Sequence, residues 1–259
     1  MGRVVVVSGG GTGIGQAVAA RFARDAAEVV IVGRRADALA RAAAGIEAQG
    51  AGSVLTIAAD LTDADQALRV RDEIVERHGK VDVVVANAGG NVTRKQAPTD
   101  FDVDRPELDR LLKVREHWQG NFELNVLTAV LLVEALADVL TDNGRIVLLS
   151  SIAAYRGSGN GSYGASKAAL HPYAFDLSSA LGERGVTVNV VAPGYIEETE
   201  FFGDTITEEW RENQRKQGHT GRVGTSTDIA ETVHWLASPG AGHVTAQIVQ
   251  VNGGAALGR

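Results

Sequence analysis

The sequence predicts an α/β fold: a doubly wound, parallel sheet of about seven strands with helices on both faces. Three observations lead there. Seven short runs rich in Val, Ile and Ala, at 4–7, 29–32, 54–58, 81–86, 145–149, 186–192 and 248–251, are mostly apolar instead of strictly alternating. Strands buried on both faces of a parallel sheet read this way. The segments 16–24, 36–49, 63–78, 105–137, 163–184 and 227–237 carry Ala, Leu, Glu and Arg at helical spacing. Alternation of the two kinds implies βαβ units, whose right-handed crossovers place helices on both faces.

The elements carry their own punctuation. Thr62 or Asp63 can cap the third helix, and Thr227-Asp228 the last. The irregular stretches 90–104, 153–162 and 193–224 follow strands, so they lie at the carboxyl edge of the sheet, where open α/β folds bind ligands. No repeat, low-complexity tract or linker divides the 259 residues, which read as a single domain over 1–259 with a lid at about 193–224. A formal charge of −7 argues against nucleic acid or anionic lipid as a partner. The absence of cysteine removes disulfides, thiolate nucleophiles and Cys-held metals. No two histidines stand at metal-ligand spacing, so no metal is expected. His117, His171 and His234 read as solvated or packed helix residues. With no signal-like N-terminus and no apolar run of about 18 residues, the expectation is a cytoplasmic protein without a membrane partner.

Ser8-Gly9-Gly10-Gly11-Thr12-Gly13-Ile14-Gly15 follows the first strand and opens the first helix. Such a turn brings backbone N–H groups and a helix N-terminus to a pyrophosphate, as in the Rossmann fold. Ser8, Gly9, Gly11, Thr12, Gly13, Ile14 and Gly15 are therefore candidate cofactor contacts. The second strand ends at Gly33-Arg34-Arg35, where an NAD site usually places a carboxylate for the ribose 2′-OH. Guanidinium groups match a 2′-phosphate, so the cofactor reads as NADPH, with Arg34 the favoured contact and Arg35 beside it. Asp60 and Leu61 end the third strand and suit the adenine. Asn87-Ala88-Gly89 ends the fourth, bringing backbone against the cofactor while Asn87 ties neighbouring strands.

Tyr163 and Lys167 stand four apart on a predicted helix and so share a face. A free phenol titrates near 10; lowering it by about three pH units takes roughly 4 kcal/mol. A nearby ammonium works in that direction. Ser150-Ser151 ends the preceding strand and can deliver a hydroxyl to polarise a carbonyl oxygen. Asn125, polar within an apolar helical stretch, is either a buried amide with local partners or the holder of a water that feeds protons to Lys167.

In this order, these residues together with Pro193-Gly194 and the closing Val251-Asn252-Gly253-Gly254 resemble the short-chain dehydrogenase/reductase family across essentially the whole chain. In wording the sequence is similar to bacterial 3-oxoacyl-carrier-protein reductases. The resemblance implies hydride transfer between a nicotinamide and a carbonyl carbon. It makes Tyr163 the proton donor, Lys167 the holder of the nicotinamide ribose, Ser151 the carbonyl-orienting group and Asn125 the keeper of a relay water. It also implies a carboxamide grip at Pro193, Gly194 and Ile196, and a homo-tetramer or homo-dimer. The chain departs from the family at three points. Family members often place the serine thirteen positions before the tyrosine, which is Ser150 here, whereas alignment to the strand end favours Ser151. Thr199 stands one position later than usual after Pro193. Thr12 stands where many NADPH enzymes carry a basic residue.

The expected function is an NADPH-dependent oxidoreductase that reduces a small-molecule ketone or aldehyde. The alternatives are an NAD-linked alcohol dehydrogenase of the same fold and a non-catalytic dinucleotide sensor. The lid aromatics Tyr195, Phe201, Phe202 and Trp210 either enclose an apolar substrate or pack the lid. Arg211, Arg215, Lys216 and Arg222 either form a basic entrance for a thioester carrier or solvate a helix. The run 126–140 is rich enough in Leu, Val and Ala to suggest a subunit interface. The charged stretch 93–116 has no assigned role.

Overall fold

The structure is a computed structural model that describes residues 2–49, 53–92, 105–159, 161–197, 199–201 and 207–256. The strands are β1 (Val4–Ser8), β2 (Glu28–Gly33), β3 (Val54–Ala58), β4 (Val81–Ala86), β5 (Leu140–Leu149), β6 (Thr187–Pro193) and β7 (Ile248–Val251). They form one parallel seven-stranded sheet in the order β3-β2-β1-β4-β5-β6-β7. The chain reverses its direction of winding between β1 and β4. That switch point opens a crevice at the carboxyl edge.

The largely apolar runs follow from the two cores. Val5 and Val7 face one core, built with Val18 and Phe22 of α1 (Gly13–Ala23), Leu39 and Ile46 of α2 (Ala36–Glu47) and Ile229 and Val233 of α9 (Ser226–Leu236). Val6 faces the other, built with Val70 and Ile74 of α3 (Ala64–His78), Leu132 and Leu136 of α5 (Thr128–Leu136) and Leu170 and Leu177 of α7 (Ser162–Leu181). Successive strand residues point to opposite faces, and here both faces are covered.

Several boundaries correct the sequence reading. The helix expected over 105–137 is α4 (Pro106–Phe122), a π-helical turn Glu123–Leu127, and then α5. β5 begins at Leu140, ahead of the expected 145. Ala153–Arg156 forms a short helix, α6, and Glu208–Gln217 forms α8 inside the stretch read as irregular. Polar, exposed α8 lacks an apolar stripe, which is why periodicity missed it. Asp63, not Thr62, caps α3, accepting from the backbone N–H groups of Asp65 and Gln66. Thr225, not Thr227, caps α9: its hydroxyl accepts from Asp228 N, and the Asp228 carboxylate accepts from Thr225 N, a reciprocal capping box. Of the stretch 93–116, residues 93–104 lie outside the described residues; the rest is Arg105, which precedes the helix in extended conformation, and the first part of α4. No helix among the described residues is long and apolar enough to cross a membrane.

Candidate active site

The crevice is a groove with a cavity of about 1020 Å³ running from Gly9 to Phe201. At one end the turn after β1 is shaped by backbone demands. Gly9 has φ +67°, and its N–H donates to Val32 O at 2.7 Å. A side chain on Gly15 would overlap the Gly9 carbonyl and lie 2.6 Å from Asn87 Nδ2. The helix therefore starts close under the turn, and Gly11, Thr12, Gly13 and Ile14 line the groove. Ser8 and Gly15, read as cofactor contacts, are instead buried and do not line it. Ser8 Oγ accepts from Asn87 N and Ala88 N at 3.0 and 2.9 Å, and Asn87 Nδ2 donates to Ser8 O at 3.0 Å. Their work is to join β1 to β4 so that Ala88 and Gly89 reach the groove.

Farther along, Gly33, Arg34, Arg35, Asp60 and Leu61 line the same wall. Asp60 Oδ1 accepts from Thr62 N and Oγ1 at 3.0 and 2.8 Å, which fixes the carboxylate at the strand end. The two arginines differ. No acid pairs with Arg34 among the described residues, whereas Arg35 Nη2 lies 2.6 Å from Glu200 Oε2. An extended groove with a glycine turn, a helix N-terminus and a cation at its far end fits a dinucleotide.

At the other end, Tyr163 on the first turn of α7 is buried, with its phenol hydrogen-bonded to Ser151. Lys167, one turn on, is also buried, and its Nζ donates to Leu149 O at 2.8 Å. Burial pushes the Tyr163 phenol up to about 12, with the Ser151 hydrogen bond opposing it. Burial also pulls the Lys167 ammonium down to about 8. The expectation that the ammonium would depress the phenol is reversed for the protein alone, because desolvation dominates both groups. The phenol is held protonated.

Of the two serines, Ser151 meets Tyr163. Ser150 Oγ donates to the Lys167 carbonyl at 2.9 Å, with His171 Nε2 also 2.9 Å away, so it braces α7 from behind. Asn125 sits in the π-helical turn, fully buried. Its Oδ1 accepts from Gly90 N at 3.0 Å, and its Nδ2 donates to Gly90 O and Asn121 O at 2.8 and 2.9 Å. It is thus a buried amide with local partners. Asn125 Oδ1 and Lys167 Nζ nevertheless converge on Gly89, where an added Cβ would lie 2.6 and 2.9 Å from them.

Pro193, Gly194 and Ile196 line the groove beside Tyr163, and the strap Thr199-Glu200-Phe201 crosses it. The Phe201 and Tyr163 ring centroids are 5.4 Å apart, while Tyr195 packs edge-on against Trp210 at 4.7 Å. Phe202 lies outside the described residues. The lid cations are paired: Arg211 and Arg215 with Glu208, Arg215 and Lys216 with Glu212, and Arg222 with Asp228. This pairing favours the reading that they solvate helix surfaces.

Sequence reasoning missed Asn121 and Ser162. Both are fully buried; Asn121 Nδ2 donates to Ser162 Oγ at 3.0 Å and to Val92 O at 2.9 Å, and Oδ1 accepts from Val92 N at 3.1 Å. His117, also fully buried, has its ring 3.3 Å from the same hydroxyl. The signal was present as polar residues at 117, 121 and 125, spaced by four on one helix face. Glu200 carried no signal, because its partner is 165 positions away.

The family profile described as Enoyl-(Acyl carrier protein) reductase matches residues 9–256. The chain belongs to the short-chain dehydrogenase/reductase family. Its relatives include Tropinone reductase-like 3 of Erythroxylum coca, 33% identical over 98% of this chain and 93% of that protein. The 3-oxoacyl-[acyl-carrier-protein] reductase FabG of Escherichia coli is 30% identical over 98% of this chain and 97% of its own. Among solved structures, a blue fluorescent protein from a metagenomic library in complex with NADPH superposes with a TM-score of 0.81 at 30% identity, covering 99% of this chain and 98% of that one. Family membership makes this an oxidoreductase of the class that binds a nicotinamide dinucleotide.

Proposed function

We propose that this short-chain dehydrogenase/reductase uses NADPH to reduce a free small-molecule ketone or aldehyde to an alcohol. The observation that carries the reading is Tyr163: a buried, protonated phenol on the groove wall, joined to Ser151 and one turn from Lys167. A proton held there is available to a carbonyl oxygen and protected from bulk base. Bound in the groove, the reduced cofactor supplies the hydride to the carbonyl carbon. Tyr163 gives its phenolic proton to the oxygen as the carbonyl π bond opens. The Ser151 hydroxyl orients that oxygen and steadies its developing charge. Lys167 would hold the nicotinamide ribose and favour the phenolate left behind; Asn125, through Gly90, fixes the wall facing Lys167. Arg34, with no acid partner among the described residues, supports the 2′-phosphate assignment, as does the likeness to a protein solved with NADPH. The paired lid cations speak for a free substrate over one carried on an acidic protein, and Val92, Leu124, Ile196 and Phe201 give the chemical end an apolar lining.

Tyr163→Phe is expected to abolish turnover while leaving NADPH binding by fluorescence titration intact. Turnover within tenfold of wild type would overturn the assignment.

We also infer a homo-oligomer. Most of the apolar run 126–140 is spent on the chain's own core, but Trp118 and Phe122 of α4, Leu127 of the π-helical turn and Phe175 of α7 stay exposed, Phe175 by 64%. Large apolar groups on neighbouring helices suit a subunit contact. Light scattering should give a dimer or tetramer; a monomer at micromolar concentration would refute it.

A further inference from the structure

We propose that Glu200 is a specificity-determining residue: it weakens the preference for NADPH over NADH by occupying Arg35, the guanidinium that a 2′-phosphate would otherwise share with Arg34. The inference rests on the NADPH reading above. Arg34 and Arg35 are adjacent at the end of β2, and both line the groove. Among the described residues only Arg35 has an acid against it, Glu200 at 2.6 Å. Glu200 comes from the strap across the groove, and its neighbours place it. Thr199 packs on the glycine turn, where a Cβ on Gly13 would meet it at 3.4 Å. Phe201 packs at a tilt against Tyr163, with ring centroids 5.4 Å apart. Three consecutive residues thus touch the glycine turn, Arg35 and Tyr163.

A carboxylate so placed acts on the phosphate twice. It competes for the Arg35 N–H fork, and it repels a dianion brought to Arg34. An unphosphorylated ribose meets neither penalty. NADPH must therefore share or displace Glu200, and NADH leaves the pair intact. Both side chains are more than half exposed, so the effect is modest and screened by salt.

The test uses fluorescence titration of the full chain with NADPH and with NADH, at low and high salt, for wild type, Glu200→Gln, Glu200→Ala and Arg34→Ala. Both Glu200 variants should bind NADPH about three- to fivefold more tightly, with NADH unchanged within about twofold and the gain shrinking in high salt. An unchanged NADPH-to-NADH ratio in both variants, with Arg34→Ala still losing NADPH, would overturn the inference and leave the NADPH reading standing. Equal weakening of both cofactors would also overturn it, reducing the pair to strap packing. If wild type shows no preference and Arg34→Ala loses nothing, the NADPH reading itself fails, and the role of Glu200 falls with it.

Discussion

Replacing Asn121 by Leu should cost this protein about 2–4 kcal/mol of stability, and the structure shows where the loss arises. The amide is fully buried between α4 and the start of α7. Its oxygen accepts from Val92 N, and its nitrogen reaches Val92 O, Ser162 Oγ and His117 O, so two N–H groups serve three acceptors. Leu has similar volume and no polar atom, so the substitution strands these partners without opening a large cavity. A buried polar group left unpaired costs about 1–3 kcal/mol. Val92 is partly exposed and recovers some hydration; Ser162 is fully buried and retains only the His117 ring at 3.3 Å. For a chain of this size about 1 kcal/mol moves Tm by about 2–4 °C, so thermal denaturation should show a fall of about 5–15 °C. Because Asn121 also holds the Val92 wall of the groove beside Tyr163, kcat should fall as well, measured at a temperature where the variant is folded. Asn121→Asp retains the acceptor for Val92 N but sets a buried acid against the Val92 and His117 carbonyl oxygens, so it should lose at least as much. A stability change within about 0.5 kcal/mol for Asn121→Leu would refute the reasoning.

Two further outcomes follow from the same geometry. The Lys167 ammonium is depressed from its ordinary 10.5 to about 8, so burial penalises its charged form at neutral pH. That penalty is complete below about pH 8 and is relieved as pH rises toward 10.5. At 1.36 kcal/mol per pH unit the gain is about 3 kcal/mol. Tyr163 opposes it only above pH 10, where the unfolded phenol ionises and the buried one does not until about 12. Urea unfolding between about pH 8 and 10 should therefore show wild-type stability climbing relative to Lys167→Met; parallel curves would exclude a strained ammonium. Gly15→Ala drives a methyl group into the Gly9 carbonyl and toward Asn87 Nδ2. Overpacking of this kind costs about 1–3 kcal/mol, so the variant should fold and lose dinucleotide affinity by more than tenfold in a titration. Retained affinity would show that the turn can move without cost.

How much of the site was readable from the sequence depended on distance along the chain. The glycine turn, Arg34, Tyr163, Lys167 and Ser151 are marked by motifs a few residues long, placed at the ends of strands that periodicity locates. For the protein alone the Tyr163 phenol is pushed up, against the direction its lysine suggests, because burial is a property of everything packed around the phenol and the motif shows only the neighbouring lysine. Ser8 and Gly15 belong to the motif, yet they shape the groove without lining it.

By itself the sequence determined the fold class, the seven strands and the edge at which the groove opens, because apolar runs and glycine turns are local instructions that the backbone obeys in short segments. Tertiary structure alone decided which arginine meets Glu200, that Asn121 and Ser162 join two helices beside Tyr163, and that α8 exists on a surface with no apolar stripe. Hydrogen bonds and ion pairs between residues tens to hundreds of positions apart form only when the sheet has brought them together, and desolvation sums over every neighbour at once. Neither is written in any short stretch of chain.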